Sequence, residues 1–199
     1  MKIVCLVSGG LDSSLLLYML KKDGNDLFPL FIDYGQKAVR MELKAYSKIC
    51  KLLKVKPFVI RFHDFARISL SGLTNKNLSP IDAPFVPGRN LLFLVIAGSY
   101  AYSKGTKIIS IGLLKNAVFP DQTKKFITNA ENIIQISTGY KIKVLSPFMK
   151  LDKRGIIGLV KKHNFPLKIT YSCQTGNSKP CGKCASCKER KLAEKHPVI

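Results

Sequence analysis

The chain opens with Lys2-Ile3-Val4-Cys5-Leu6-Val7, an almost unbroken apolar, β-branched run of the kind found in strands buried on both faces of a parallel sheet. Ser8-Gly9-Gly10-Leu11-Asp12-Ser13-Ser14 interrupts it. From Asp12 the apolar Leu15, Leu16, Leu17, Tyr18, Met19 and Leu20 predict a helix, closed by Lys21-Lys22-Asp23-Gly24. The same alternation then recurs. Asp26 to Ile32, Lys56 to Phe62, Lys107 to Gly112 and Lys141 to Leu145 read as strands, while Val39 to Leu53, Leu91 to Tyr102, Phe119 to about Ser137 and Leu151 to about His163 read as helices. This order predicts an α/β fold with a doubly wound, mainly parallel sheet of five strands.

Two stretches depart from the alternation. From His63 to Pro87 periodicity fades into Ser, Gly, Thr, Asn and Pro, and a segment of that length is expected to act as a lid or binding loop. Beyond His163 the chain changes character, so residues 1–165 are expected to form a nucleotide-binding α/β unit and 166–199 a small four-cysteine segment packed on it.

Composition adds an address and a bias. No uninterrupted apolar segment is long enough to span a bilayer, and residues 2–7 feed a motif rather than a cleavable signal, so a cytoplasmic protein with no membrane partner is expected. The net charge of +21, from 33 Lys and Arg against 12 Asp and Glu, favours polyanions such as ATP or a nucleic acid. The lysines are spread along the chain, however, and a solvated basic surface explains them equally well.

The glycine-rich turn carries the first candidate chemistry. Glycines let a ligand approach the backbone, and a following helix aims unpaired N–H groups and its positive dipole end at an anion. Ser8, Ser13 and Ser14 add hydroxyls, and Asp12 is suited to the helix N-terminus or to a magnesium ion accompanying a polyphosphate. Asp33 and Gln36 follow the second strand, where α/β folds place ligands. Arg89 stands at a helix start, suited to phosphate or carboxylate. His63 reads as a solvated or capping residue rather than a catalytic one.

Six cysteines divide into two groups. Cys5 and Cys50 fall on apolar faces and read as core. Cys173, Cys181, Cys184 and Cys187 offer four thiolates among the turn residues Gly176, Asn177, Pro180 and Gly182, a set that suits structural zinc. An iron–sulfur cluster uses the same ligands and is the alternative.

Ser8-Gly9-Gly10-Leu11-Asp12-Ser13 resembles the PP-loop of the ATP pyrophosphatase superfamily, whose fold is of the adenine nucleotide alpha hydrolase type. Together with Phe85-Val86-Pro87-Gly88-Arg89-Asn90, Tyr34-Gly35-Gln36, Phe119-Pro120-Asp121 and the four cysteines, it is similar to the QueC family of 7-cyano-7-deazaguanine synthases from Ser8 to Arg190. The resemblance implies a homodimeric, ATP-dependent carbon–nitrogen ligase. Such an enzyme adenylates 7-carboxy-7-deazaguanine, adds ammonia to form an amide, and adenylates again to form the nitrile. It implies that Ser8, Gly9, Gly10, Leu11, Asp12, Ser13 and Ser14 hold the pyrophosphate with Mg2+, that Asp12, Lys153 and Arg89 are catalytic, that Asp33, Gln36 and Asp121 face the substrate, and that the cysteines hold Zn2+.

The chain departs from the family where Lys37-Ala38 replaces the usual Arg-His, where no cysteine follows Asp121, and where Gly155 takes a commonly acidic position. Two further readings stay open: a divergent relative that stops at the amide or passes the activated acid to another amine, and an RNA-modifying PP-loop ATPase acting on tRNA. A non-catalytic zinc module binding nucleic acid is the third.

Overall fold

The computed structural model describes residues 1–115 and 118–195; residues 196–199 of the expected carboxyl-terminal segment lie outside them. Among these residues the strands are β1 (Lys2–Leu6), β2 (Asp26–Asp33), β3 (Phe58–Arg61), β4 (Ile108–Ser110) and β5 (Lys143–Leu145). They pair in the order β3-β2-β1-β4-β5, every neighbour parallel. The chain leaves β1 towards β2 and returns to its other side at β4. That reversal opens a crevice beyond the carboxyl ends of β1 and β4, where such sheets bind ligands.

Among the described residues seven α-helices accompany the strands: α1 (Leu11–Lys22), α2 (Val39–Leu53), α3 (Phe65–Ile68), α4 (Arg89–Ser103), α5 (Lys124–Thr138), α6 (Lys153–Lys162) and α7 (Ala185–Lys195). Side chains of β1 alternate between the two faces of the sheet. Ile3, Cys5 and Val7 join Leu15, Tyr46, Ile49, Ile156 and Val160 beneath α1, α2 and α6. Val4 and Leu6 join Leu94, Ala97, Ile127 and Ile134 beneath α4 and α5. β1 therefore has no polar face, which is why its sequence shows no alternation. Tyr46 ties the first layer together: its hydroxyl accepts the Phe58 N–H at 3.0 Å and lies 3.1 Å from the carbonyls of Pro29 and Phe58.

The elements differ from the sequence reading at several places. Strands β3, β4 and β5 are shorter than their apolar runs. Pro120–Gln122 forms a separate 3-10 turn, and α5 starts afresh behind Thr123, whose side chain accepts the Phe126 N–H. Asp152 caps α6 by accepting the Gly155 N–H, so the helix begins at Lys153 rather than Leu151. The helix expected to be last is followed by α7, whose polar, lysine-rich sequence gives little apolar signal.

The segment from His63 to Pro87 is a pinned wall. It contains the short α3, buries Ser71, Leu73, Thr74 and Val86, and joins the turn after β2 through Lys37 N–H to Leu73 C=O at 2.8 Å. Among the described residues no helix is long and apolar enough to cross a membrane. Cys5 and Cys50 are buried, and burial pushes their thiols up to about 12 and about 11, as inert core residues require.

Candidate active site

A cavity of about 590 Å³ lies at the crevice, within the size range of small-molecule sites. Its floor is the turn between β1 and α1. Gly10 is the N-cap of α1 and offers no side chain to the helix; Ser172 takes the Leu11 N–H, and the N–H groups of Asp12 and Ser13 stay available. Asp12 does not cap; it sits in the first turn, with both carboxylate oxygens 2.7 Å from Lys153 Nζ. Ser8 and Ser13 hydroxyls stand 3.2 Å apart, and Ser13 Oγ accepts the Ser8 N–H.

The glycines act differently from one another. Gly10 lines the cavity. Gly9, at φ +78°, instead faces α2, where an added Cβ would collide with the Glu42 carbonyl and come within 2.9 Å of Tyr46 N. Its job is to let the turn lie flat on α2. A third glycine went unnoticed in the sequence: Gly112, just past β4, packs so closely on α1 that a Cβ would sit 3.0 Å from Ser13 N. A lone turn glycine carries no local signal of such an approach. Ser14 is buried, with no partner for its hydroxyl, and lies behind the turn rather than in the cavity.

The far wall holds Arg89, first residue of α4, against the rings of Tyr34 and Phe93 at 5.9 Å. Its Nη1 donates to the Tyr34 hydroxyl and Nη2 to Asn90 Oδ1, both at 3.4 Å, while the buried Nε has no partner. Burial opposes its charge, but Tyr34, Asp121 and Glu42 outweigh that and hold the guanidinium above its ordinary value.

Of the candidate substrate residues, Gln36 lines the cavity; Asp33 and Asp121 stand behind the wall. Asp33 is held by His63 Nε2 at 2.7 Å and by the Gly35 N–H at 3.1 Å. Asp121 is buried, and its backbone carbonyl accepts from Asn90 Nδ2 at 3.0 Å. Gln36 accepts the Tyr34 N–H at 2.9 Å and donates to Glu42 Oε2 at 2.8 Å. Glu42 also lines the cavity and is a residue the sequence reading missed. Burial lifts its carboxyl to about 7 despite the Gln36 hydrogen bond and nearby Arg89.

The roof comes from the carboxyl-terminal segment. Tyr171 N–H donates to the Gly9 carbonyl at 3.0 Å, and Ser172 Oγ accepts the Leu11 N–H at 3.4 Å. Glu189 and Leu192 of α7 complete the lining. Just beyond, the sulfurs of Cys173, Cys181, Cys184 and Cys187 all lie within 4.8 Å of one another. Four thiolates at about 2.3 Å from a tetrahedral zinc stand about 3.8 Å apart, so a metal fits here with little movement. The N–H groups of Lys183 and Cys184 point at Cys181 Sγ at 3.4 and 3.3 Å. At Cys173, burial is outweighed by hydrogen bonds from Thr175 and the Cys181 N–H, which bring the thiol down to about 6.

Comparison with known proteins places this arrangement. The family described as queuosine biosynthesis protein QueC matches residues 2–196. A 7-cyano-7-deazaguanine synthase of Campylobacter jejuni subsp. jejuni is 35% identical over 201 residues, covering 94% of this chain and 90% of that protein. One from Methanobrevibacter smithii is 35% identical over 212 residues, covering 98% and 93%. Among solved structures, a predicted subunit of a tRNA methyltransferase from Methanocaldococcus jannaschii superposes with a TM-score of 0.60 at 20% identity, over 81% of this chain and 76% of that one, a likeness of fold. Because the family match runs from the first strand through the helix beyond the cysteines, the chain belongs to the QueC family, ATP-dependent enzymes of the PP-loop superfamily.

Proposed function

We propose that this protein is a 7-cyano-7-deazaguanine synthase that adenylates 7-carboxy-7-deazaguanine and uses ammonia to form the amide and then the nitrile. The observation that carries the reading is the Asp12–Lys153 pair in the first turn of α1, lining one small-molecule cavity with Arg89. Helix N–H groups, Ser8 and Ser13 supply donors for a pyrophosphate. A substrate carboxylate oxygen attacks the α-phosphorus and pyrophosphate leaves towards the turn. Negative charge grows at the transferring phosphorus, where Lys153 and Arg89 stabilise it. Ammonia then attacks the acyl carbon and AMP departs, taking the oxygen that joined it to the acid. In the second round the amide oxygen attacks ATP, and loss of AMP together with the remaining amide protons leaves the nitrile.

Magnesium, when bound, would share the charge of the triphosphate, and Asp12 would hold it by giving up part of its grip on Lys153. Zinc held by all four cysteines would have no open position and would serve structure.

The test is mass spectrometry of products after incubating the metal-loaded protein with ATP, magnesium, ammonium and the deazaguanine acid. Nitrile with AMP is expected. No AMP overturns this substrate. An amide as the sole product supports the divergent reading, which the replacement of Arg-His by Lys37-Ala38 favours. The +21 charge favours the tRNA reading, tested by the same assay with tRNA in place of the acid.

A further inference from the structure

Glu42 is the acidic residue of α2, and its side chain is fixed from one side only. Gln36 Nε2 donates to Oε2 at 2.8 Å, and Gln36 is itself held by the Tyr34 N–H at 2.9 Å. Among the described residues nothing hydrogen-bonds Oε1 and no cation lies within ion-pair distance of the carboxylate, yet Glu42 lines the cavity. A carboxylate facing a semi-enclosed cavity without a counter-ion is unfavourable until a ligand brings donors.

The two ligands of the proposed reaction differ in what they bring. The triphosphate has the wrong sign, and adenine offers a single exocyclic amine. A guanine-type edge offers a ring N–H and an exocyclic amine side by side, the spacing that a carboxylate accepts with two oxygens. We infer that Glu42 reads the paired N–H edge of the deazaguanine acid, with Gln36 as its positioning residue. This rests on the substrate class proposed above.

The inference carries a pH dependence. The donors bind the charged carboxylate, so affinity for the acid rises with pH through the titration of Glu42. The groups facing Glu42 are Arg89 from α4, Asp33 and Tyr34 from the end of β2, Gln36 from the following turn, and Tyr171 from the carboxyl-terminal segment. Arg89 keeps its charge, burial pushes both tyrosines up and out of the range, and Asp33 is engaged by His63.

Equilibrium binding on the full metal-loaded chain tests this, with wild type and Glu42→Gln each titrated with ATP, with the acid, and with an analogue lacking the exocyclic amine. Wild type is expected to favour the acid over the analogue by about 10- to 100-fold, as hydrogen bonds to a charged group allow. Its affinity for the acid should rise between pH 6 and 8. In Glu42→Gln the preference should shrink to about threefold and the pH rise should vanish, with ATP affinity kept. Equal binding of acid and analogue by wild type overturns the inference without any variant. So does a variant that keeps the preference, or one that loses ATP affinity instead. Wild type that binds ATP and neither acid nor analogue overturns the substrate reading itself.

Discussion

Lys153 Nζ lies 2.7 Å from both oxygens of Asp12, joining residues 141 apart in the chain. The pair fixes the start of α6 against the start of α1, and so delivers a cation to the anion site. Its symmetric grip leaves Asp12 nearly neutralised when a polyphosphate arrives. Lys153→Ala should lower the rate of AMP formation by about 10²–10³, the usual effect of removing one donor at developing charge. A variant that retains full turnover would remove Lys153 from the reacting centre.

Gly112→Ala tests the close packing of the β4 loop on α1. The added methyl would press on backbone atoms of Asp12 and Ser13 at 3.2 and 3.0 Å, and backbone cannot swing aside as a side chain does. A loss of about 1–3 kcal/mol in stability is expected, with weaker ATP binding. Chemical denaturation and ATP titration on the same sample measure both.

Removing the metal should do more than loosen the cysteines. Tyr171 and Ser172 lie just before Cys173 and bond directly to Gly9 and Leu11, so relaxation of the cluster unpins the turn. The chelated protein should lose ATP affinity and thermal stability together, and zinc alone should restore both. Retained ATP affinity in a metal-free, folded sample would separate the two sites.

Glu42 should make stability depend on pH in a direction opposite to most carboxylates. Its carboxyl rises from an ordinary 4.5 to about 7 because it is buried, so the folded state holds the proton more tightly. The contribution is complete below about pH 4.5, falls as pH rises, and levels off above about 7. Glu42→Gln should therefore gain about 1–3 kcal/mol relative to wild type on going from pH 5 to pH 8, read by denaturant titration at each pH. An unchanged difference would contradict the burial of the charge.

Tyr46→Phe removes a hydroxyl that serves two strands and leaves the Phe58 N–H without its acceptor. A loss of about 1–3 kcal/mol is expected, and hydrogen exchange should show β3 opening first.

Much of the architecture was legible because it is written in local pattern. The run from Ile3 to Val7, the glycine turn and the leucines of α1 each announce an element, and the parallel order follows from their alternation. Cysteine spacing pointed to the four sulfurs that the structure brings within 4.8 Å of one another. What stayed hidden depended on tertiary neighbours. Glu42 stands among lysines on an amphipathic helix and reads as one more solvated charge, although its helix face turns towards the cavity. Asp33 carried the stronger sequence signal, at the end of a strand, yet His63 and the Gly35 N–H engage it behind the wall. In α7 the apolar residues are few because Ala193 alone is fully buried, so periodicity had nothing to act on.

The bond from Leu11 N–H to Ser172 Oγ closes a loop of 161 residues. Contacts of such separation carry a large closure entropy and form only after the intervening chain has condensed. During synthesis the β1–α1 turn leaves the ribosome early and then waits, with its roof still to be made. Nucleotide capture is therefore expected late in maturation, after the segment around Ser172 has docked on the turn.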